Sequence, residues 1–207
     1  MRDWTSHALF GMGRVAEAQE TAGAAQAYWE QTNDHWGMIW ALEGLAMSAR
    51  SEGRLDEARD RYSRLLRVNQ ELSFRRGLLH TLNNLGLPSL AMDDPAAAEG
   101  YLIDGLRLST ETGQIQESLA ALCEIATARA KLGDLASALN LVDAVIAHAA
   151  SDQHQRYNPQ TIREGAQAQH AQLIEDGAVL DPSASLPKFE EVVASILEGS
   201  ESIRAAV

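Results

Sequence analysis

An all-α solenoid of stacked helix-turn-helix units is the fold class this sequence predicts, and three observations predict it. A set of residue types returns at a fixed interval of 40. Inside each interval the apolar residues recur at three- and four-residue spacing, as on one face of a helix. Only five prolines interrupt 207 residues, and strand-type alternation is scarce. Self-similarity at such a period marks an array in which each unit buries its face against its neighbours.

The template lies within Trp36 to Leu65 and consists of Leu42, Leu45, Ala46, Gly53, Leu55, Ala58 and Tyr62. Forty residues on stand Leu82, Leu85, Gly86, Asp93, Pro95, Ala98 and Leu102, and forty further Leu122, Ile125, Ala126, Gly133, Leu135, Ala138 and Val142. A glycine beside charged residues, SEGRLDEA, separates two apolar runs, which reads as helix, tight turn, helix. Backward, a step of 33 aligns Ala8–Gly13 with Ala41–Ala46 and Trp29 with Tyr62. A step of 40 would match Gly13 to Gly53 and Ala18 to Ala58 but leaves almost no first helix, so the shorter step is preferred. On that register the first helix runs from near Met1 to about Gln19 and turns at Glu20–Gly23, and the array opens without a capping helix.

The units are then about 2–34, 35–74, 75–114 and 115–150. Asp34 is placed to cap the helix that follows it. Pro88 falls inside a helix and predicts a kink, whereas Pro95 falls at a helix start, where proline is tolerated. Beyond Ala150 the template fails. Asn158 and Pro159 open a helix to about Asp176 with a thin stripe of Ile162, Ala166, Leu173 and Ile174. Ser185 caps a last helix through Phe189, Val192, Val193, Ile196 and Leu197, which Gly199 ends. This pair, 151–199, reads as a C-terminal cap of the array 1–150, and 200–207 as a frayed tail.

Acidic residues outnumber basic ones by 29 to 17, a net charge of −12. Phosphate binding needs clustered Lys and Arg, so the balance argues against nucleic acid or an anionic membrane and favours a neutral or basic partner. The single cysteine, Cys123, excludes an internal disulfide and fits a reducing cytosol. The N-terminus has no signal-like apolar core, and no stretch of about 18 apolar residues predicts a membrane span. A cytoplasmic protein is expected.

Leu42, Leu45, Ala46, Gly53, Ala58 and Tyr62 resemble the consensus of the tetratricopeptide repeat, over roughly residues 2–150. The units exceed its usual 34 residues, and the proline expected late in the second helix is replaced by Gln70. The resemblance implies a right-handed αα-solenoid of about four units plus a capping helix pair. A narrower likeness, in HWGMIWALEGLA, LHTLNNLG and LVDAVIAHAASDQ, is to the long-unit C-terminal sensor arms of bacterial signal-transduction ATPases and transcriptional activators, although no ATPase or DNA-binding motif is present.

The resemblance further implies that the first helix of each unit lines a concave surface. His7, Phe10, Arg14 and Glu17 would face it from unit one, and Trp40, Glu43, Met47 and Arg50 from unit two. Unit three would add His80, Asn83, Leu87 and Leu90, and unit four Ala120, Cys123, Thr127 and Ala130. Asn83 is the first candidate, because a carboxamide both donates and accepts and can pair with a peptide backbone whatever its sequence. Against this, Asn83 and Asn84 can equally bond neighbouring helices or water. Arg14 and Arg50 are candidates to hold a carboxylate. The four tryptophans, Trp4, Trp29, Trp36 and Trp40, either fill the core of a shortened unit or are partly exposed at its end to an upstream domain or a second copy.

Catalysis has little support. His148, Asp152 and His154 lie near one another without a fourth ligand at diagnostic spacing. Cys123 has no matched histidine, GMG at Gly11–Gly13 lacks the rest of a phosphate loop, and Glu190 and Glu191 point to different faces of a helix. The expected function is therefore a non-catalytic protein- or peptide-binding scaffold without catalytic residues, metal or cofactor. The alternatives are a ligand-sensing regulatory arm of a larger protein and, remotely, a small metal-dependent enzyme.

Overall fold

From residue 35 to residue 150 a helix starts every 20 residues, because helices of 16 or 17 residues alternate with three-residue connections. The 40-residue sequence period is therefore two helices. The computed structural model describes residues 5–32, 34–150, 159–179 and 188–205. All regular structure among them is helical, and none of these helices is long and apolar enough to cross a membrane. The chain divides into two units, Met1–Asp93 and Asp94–Val207.

The first unit holds α1 (Thr5–Gly11), α2 (Val15–Thr32), α3 (His35–Ser51), α4 (Leu55–Glu71) and α5 (Arg75–Ala91). Each connection is closed by local chemistry. After α3 the Arg54 N–H donates to the Ala49 carbonyl at 2.9 Å and the Gly53 N–H to the Arg50 carbonyl at 3.0 Å, the paired bonds that satisfy a helix's last carbonyls when the residue between is left-handed. The left-handed place is taken by Gly13, Gly53, Gly113, Gly133 and Gly177, but also by Ser73 at φ 51° and Asp93 at φ 59°. Asp34 caps α3 as expected, its Oδ1 accepting from the Trp36 and Gly37 N–H groups at 3.0 and 3.1 Å. Pro88 is buried within α5, and the helix continues past it to Ala91.

Five of the seven template positions are core at each of their three occurrences, the exceptions being the turn position of Gly53 and the Leu55 position that follows it. Leu42 and Leu122 are 0% exposed and Leu82 is 9% exposed, while Ala58, Ala98 and Ala138 are wholly buried. Burying each such leucine contributes about 1.5–3 kcal/mol.

Unit one of the repeat corrects the 33-residue step. The expected first helix to Gln19 is broken at Met12–Arg14, and the expected turn at Glu20–Gly23 lies inside α2. Gly13 takes the left-handed turn with φ 74°, as Gly53 does, and Ala18 is buried like Ala58. The 40-residue register therefore holds here too, and it is the first helix that is short. A turn needs a residue tolerant of positive φ, and the 33-residue alignment supplied none at Gln19–Glu20.

Successive hairpins meet at a recurring place. The Trp29 indole occupies the space a Cβ on Gly37 would fill, and forty residues later the Asn69 carboxamide and the Phe74 ring edge occupy that space at Gly77. Forty residues further, within the second unit, the Ser109 and Ser118 hydroxyls hydrogen-bond at 2.7 Å. Glycine is needed at Gly37 and Gly77 because the facing side chain touches backbone.

The second unit holds α6 (Pro95–Glu111), α7 (Ile115–Lys131), α8 (Leu135–Ala150), α9 (Pro159–Glu175) and α10 (Phe189–Ala205). Pro95 opens α6, and Asp94 caps it by accepting from the Ala97 N–H at 3.1 Å. α9 packs on α8 and ends, as α3, α6 and α7 do, in a left-handed glycine, Gly177. Ala166 and Leu173 are buried on it, and Ile174 is exposed; the Ile162 side chain lies outside the described residues. α10 lies against α6 and α8. Val193 and Ile196 are buried on it, Arg107 donates to the Ser200 hydroxyl at 2.9 Å, and Phe189 stacks on His148 with centroids 4.5 Å apart. This helix does not stop at Gly199 but continues to Ala205, because no turn is formed there to use the glycine's freedom. Asn158 and Ser185 lie outside the described residues.

Candidate functional site

In the first unit, α3 and α5 present the residues between their core positions. Trp40, Glu43, Met47 and Arg50 on α3 are half-buried, in contrast to the buried Ala41, Leu42, Leu45 and Ala49 beside them. On α5 His80 is exposed, and Asn83 and Leu87 are half-buried. Leu90, expected at the surface, is only 7% exposed. An apolar chain with no polar tip to keep in water turns inward where Arg50, forty residues earlier, reaches out.

One of these groups, Arg50, crosses to α5. The Arg50 guanidinium reaches the Asn84 Oδ1 at 3.5 Å, and Asn84 Nδ2 donates to the His80 carbonyl at 3.0 Å. The neighbouring Asn83 Oδ1 is buried and has no hydrogen-bond partner. An unmet carbonyl oxygen of this kind costs about 1–3 kcal/mol. The Tyr62 hydroxyl of α4 is also buried without a partner, and burial pushes its pKa up to about 12.

Trp40, Glu43 and His80 come together at the other end of the wall, in a cleft of about 540 Å³ between α3, α4 and α5. The Glu43 carboxylate stands 3.8 Å from His80 Nδ1, too long for a hydrogen bond. Trp36 and Phe74, which the sequence reading left out of the site, complete the cleft as an edge-to-face pair with centroids 4.9 Å apart. Its floor includes the buried Asn69 and Thr81, also missed. A signal for this cleft stood in the sequence: Gly37 and Gly77 are glycines forty apart that the seven-position template did not contain.

Other candidates are placed elsewhere. Arg14 lies in the turn before α2 and Glu17 in its first turn, where the two form an exposed ion pair with Arg14 Nε 2.7 Å from Glu17 Oε1. They do not belong to a first helix, because the 33-residue register that put them there does not hold. Phe10 is half-buried on α1; the His7 side chain and Trp4 lie outside the described residues.

In the second unit Ala120 is exposed on α7, and Cys123, Thr127 and Ala130 are half-buried. This wall is met by the chain itself. Gln169 of α9 donates to the Cys123 carbonyl at 2.9 Å and to the Thr127 hydroxyl at 2.8 Å. Burial pushes the Cys123 thiol up to about 11, which suppresses the nucleophilic thiolate. His148 is stacked on Phe189, and Asp152 and His154 lie outside the described residues. Among the described residues no group of three or more His, Cys, Asp or Glu is placed to hold a metal ion.

Residues 37–111 match the family described as tetratricopeptide repeat. Crystal structures of nearly identical TPR-like repeats from Podosopora anserina, assigned to a kinesin light chain, resemble the whole chain. One of them has a TM-score of 0.69 at 19% identity, covering 97% of this chain and 92% of that one. BtubC (BKLC) from P. vanneervenii is similar with a TM-score of 0.64 at 15% identity, over 88% of this chain and 82% of that one. At these identities the likeness is one of fold. No curated protein matches the chain.

Proposed function

We propose that this chain, whose residues 37–111 match the tetratricopeptide-repeat family, is a non-catalytic scaffold binding a protein or peptide along the α3–α5 wall of its first unit. The observation that carries the reading is the row of half-buried polar and aromatic side chains on those helices, with Asn83 Oδ1 unmet at its centre. An extended peptide supplies N–H donors at regular intervals, and one of them would satisfy that oxygen. The net charge of −12 favours a neutral or basic ligand in the cytoplasm. α9 and α10 act as a cap, since Gln169 already closes the Cys123–Thr127 wall.

Screening a library of extended decapeptides and measuring the hits by calorimetry tests this. Asn83→Ala is expected to weaken binding about 5- to 20-fold, the value of one buried hydrogen bond, with the melting temperature preserved. Hits whose affinity is unchanged by Asn83→Ala would place the ligand elsewhere.

A further inference from the structure

The cleft between α3, α4 and α5 differs in chemistry from the rest of the wall. Its sides carry three aromatic rings, Trp36, Trp40 and Phe74, together with the Glu43 carboxylate. On its floor the hydrogen bonds are ordered. The Thr81 hydroxyl donates to the Gly77 carbonyl at 2.8 Å and accepts from Asn69 Nδ2 at 3.0 Å. Asn69 is 0% exposed, and this arrangement leaves its Oδ1 without a partner. The oxygen is fixed against Gly77, because Nδ2 is held by Thr81.

An occupant of this cleft has to offer hydrogen-bond donors to the Glu43 carboxylate, balance its charge and lie against ring faces. A group rich in N–H donors, positively charged and flat enough to stack between aromatic rings meets all three demands. The guanidinium has those properties: five donors in a planar fork, a permanent charge and a preference for aromatic faces. A carboxylate offers about four lone-pair directions, so Glu43 can accept from a ligand while keeping its present neighbours. Arg76 and His80 also line the cleft, and both are exposed, at its solvent edge.

We propose that this cleft receives an arginine side chain of the bound partner, with the guanidinium stacked on the tryptophans and bonded to Glu43. The proposal rests on the protein-binding reading above and names the residue that anchors the ligand. A cleft of about 540 Å³ has room for that side chain and the backbone beside it.

The test uses the whole chain and three blocked tripeptides, acetyl-Gly-X-Gly-amide with X arginine, citrulline or lysine. Citrulline keeps the shape of arginine without its charge. Two of the four tryptophans line the cleft, so intrinsic fluorescence reads occupancy, with calorimetry as the check. The arginine peptide is expected to bind saturably, with citrulline at least tenfold weaker and lysine between them. Glu43→Gln should remove most of the difference between arginine and citrulline, and Arg76→Ala should tighten arginine by two- to fivefold. The citrulline comparison needs no variant, so a poorly folded Glu43→Gln protein leaves the test intact. No saturable binding, or equal binding of arginine and citrulline, overturns the proposal. Decapeptide hits that depend on Asn83 but tolerate arginine-to-citrulline exchange would sink this inference alone and leave the scaffold reading standing.

Discussion

Gly77 is required by its neighbours, since a Cβ there would overlap the Asn69 carboxamide and the Phe74 ring, both parts of the cleft. Gly77→Ala should cost about 1–3 kcal/mol in chemical denaturation and perturb the Trp36–Phe74 pair, readable in tryptophan emission. Tyr62 is 0% exposed, and its hydroxyl is unmet. Burial is the main reason its pKa rises from 10.0 to about 12, with Arg50 opposing and Glu43 adding to the effect. The unfolded phenol ionises first, so the stability it contributes is complete below pH 10 and is lost as pH rises through about 12. A rise of this size corresponds to roughly 2–3 kcal/mol. Cys123 acts in the same sense between about 9 and 11. Tyr62→Phe should lose the tyrosine share of this alkaline loss and be as stable at pH 7, or more stable by about 1 kcal/mol, because it deletes a hydroxyl that bonds nothing. A fall of more than about 1 kcal/mol at pH 7 would mean the hydroxyl has a partner. None of this was legible in the sequence, where Tyr62 was one apolar position among seven.

Helices and turns were more legible, because their signals are local. The helix starts at 35, 75 and 115, the cap at Asp34 and the first-turn Pro95 all follow from spacing and side-chain chemistry. The misplaced element was the first hairpin. There the choice rested on helix length, and the turn glycine at Gly13 was the better guide, since φ 74° is a steric demand while helix length is free to vary. The same demand predicts a stabilising change. Ser73 occupies the left-handed place between α4 and α5 at φ 51°, a conformation that costs an L-residue about 1 kcal/mol. Ser73→Gly should raise the unfolding free energy by about 0.5–1 kcal/mol in urea titration, and a drop would show that the Ser73 side chain matters more than its backbone.

At the scale of the whole molecule, the repeat places equivalent core residues in both units: Leu82 in the first and Leu122 in the second, each buried. Leu82→Asp and Leu122→Asp each bury a charge with no partner, costing about 3–5 kcal/mol. Circular dichroism should show a large loss of helicity or a melting point lowered by many degrees in both; native helicity and melting in either would contradict its core position. Charge divides unevenly, ten basic against twelve acidic residues in 1–93 and seven against seventeen in 94–207. The arginine cleft lies in the nearly balanced unit, so local groups and not the general field must give it selectivity. By itself the sequence determined the helical class, the 40-residue period and the buried leucines and alanines, since periodic patterning is carried by each segment alone. Only the tertiary structure decided that Asn69 and Phe74, on either side of one turn, join Trp36, Trp40 and Glu43 around a single cleft, and that Gln169 closes the wall at Cys123. Those meetings depend on how three helices approach one another, which no local pattern encodes.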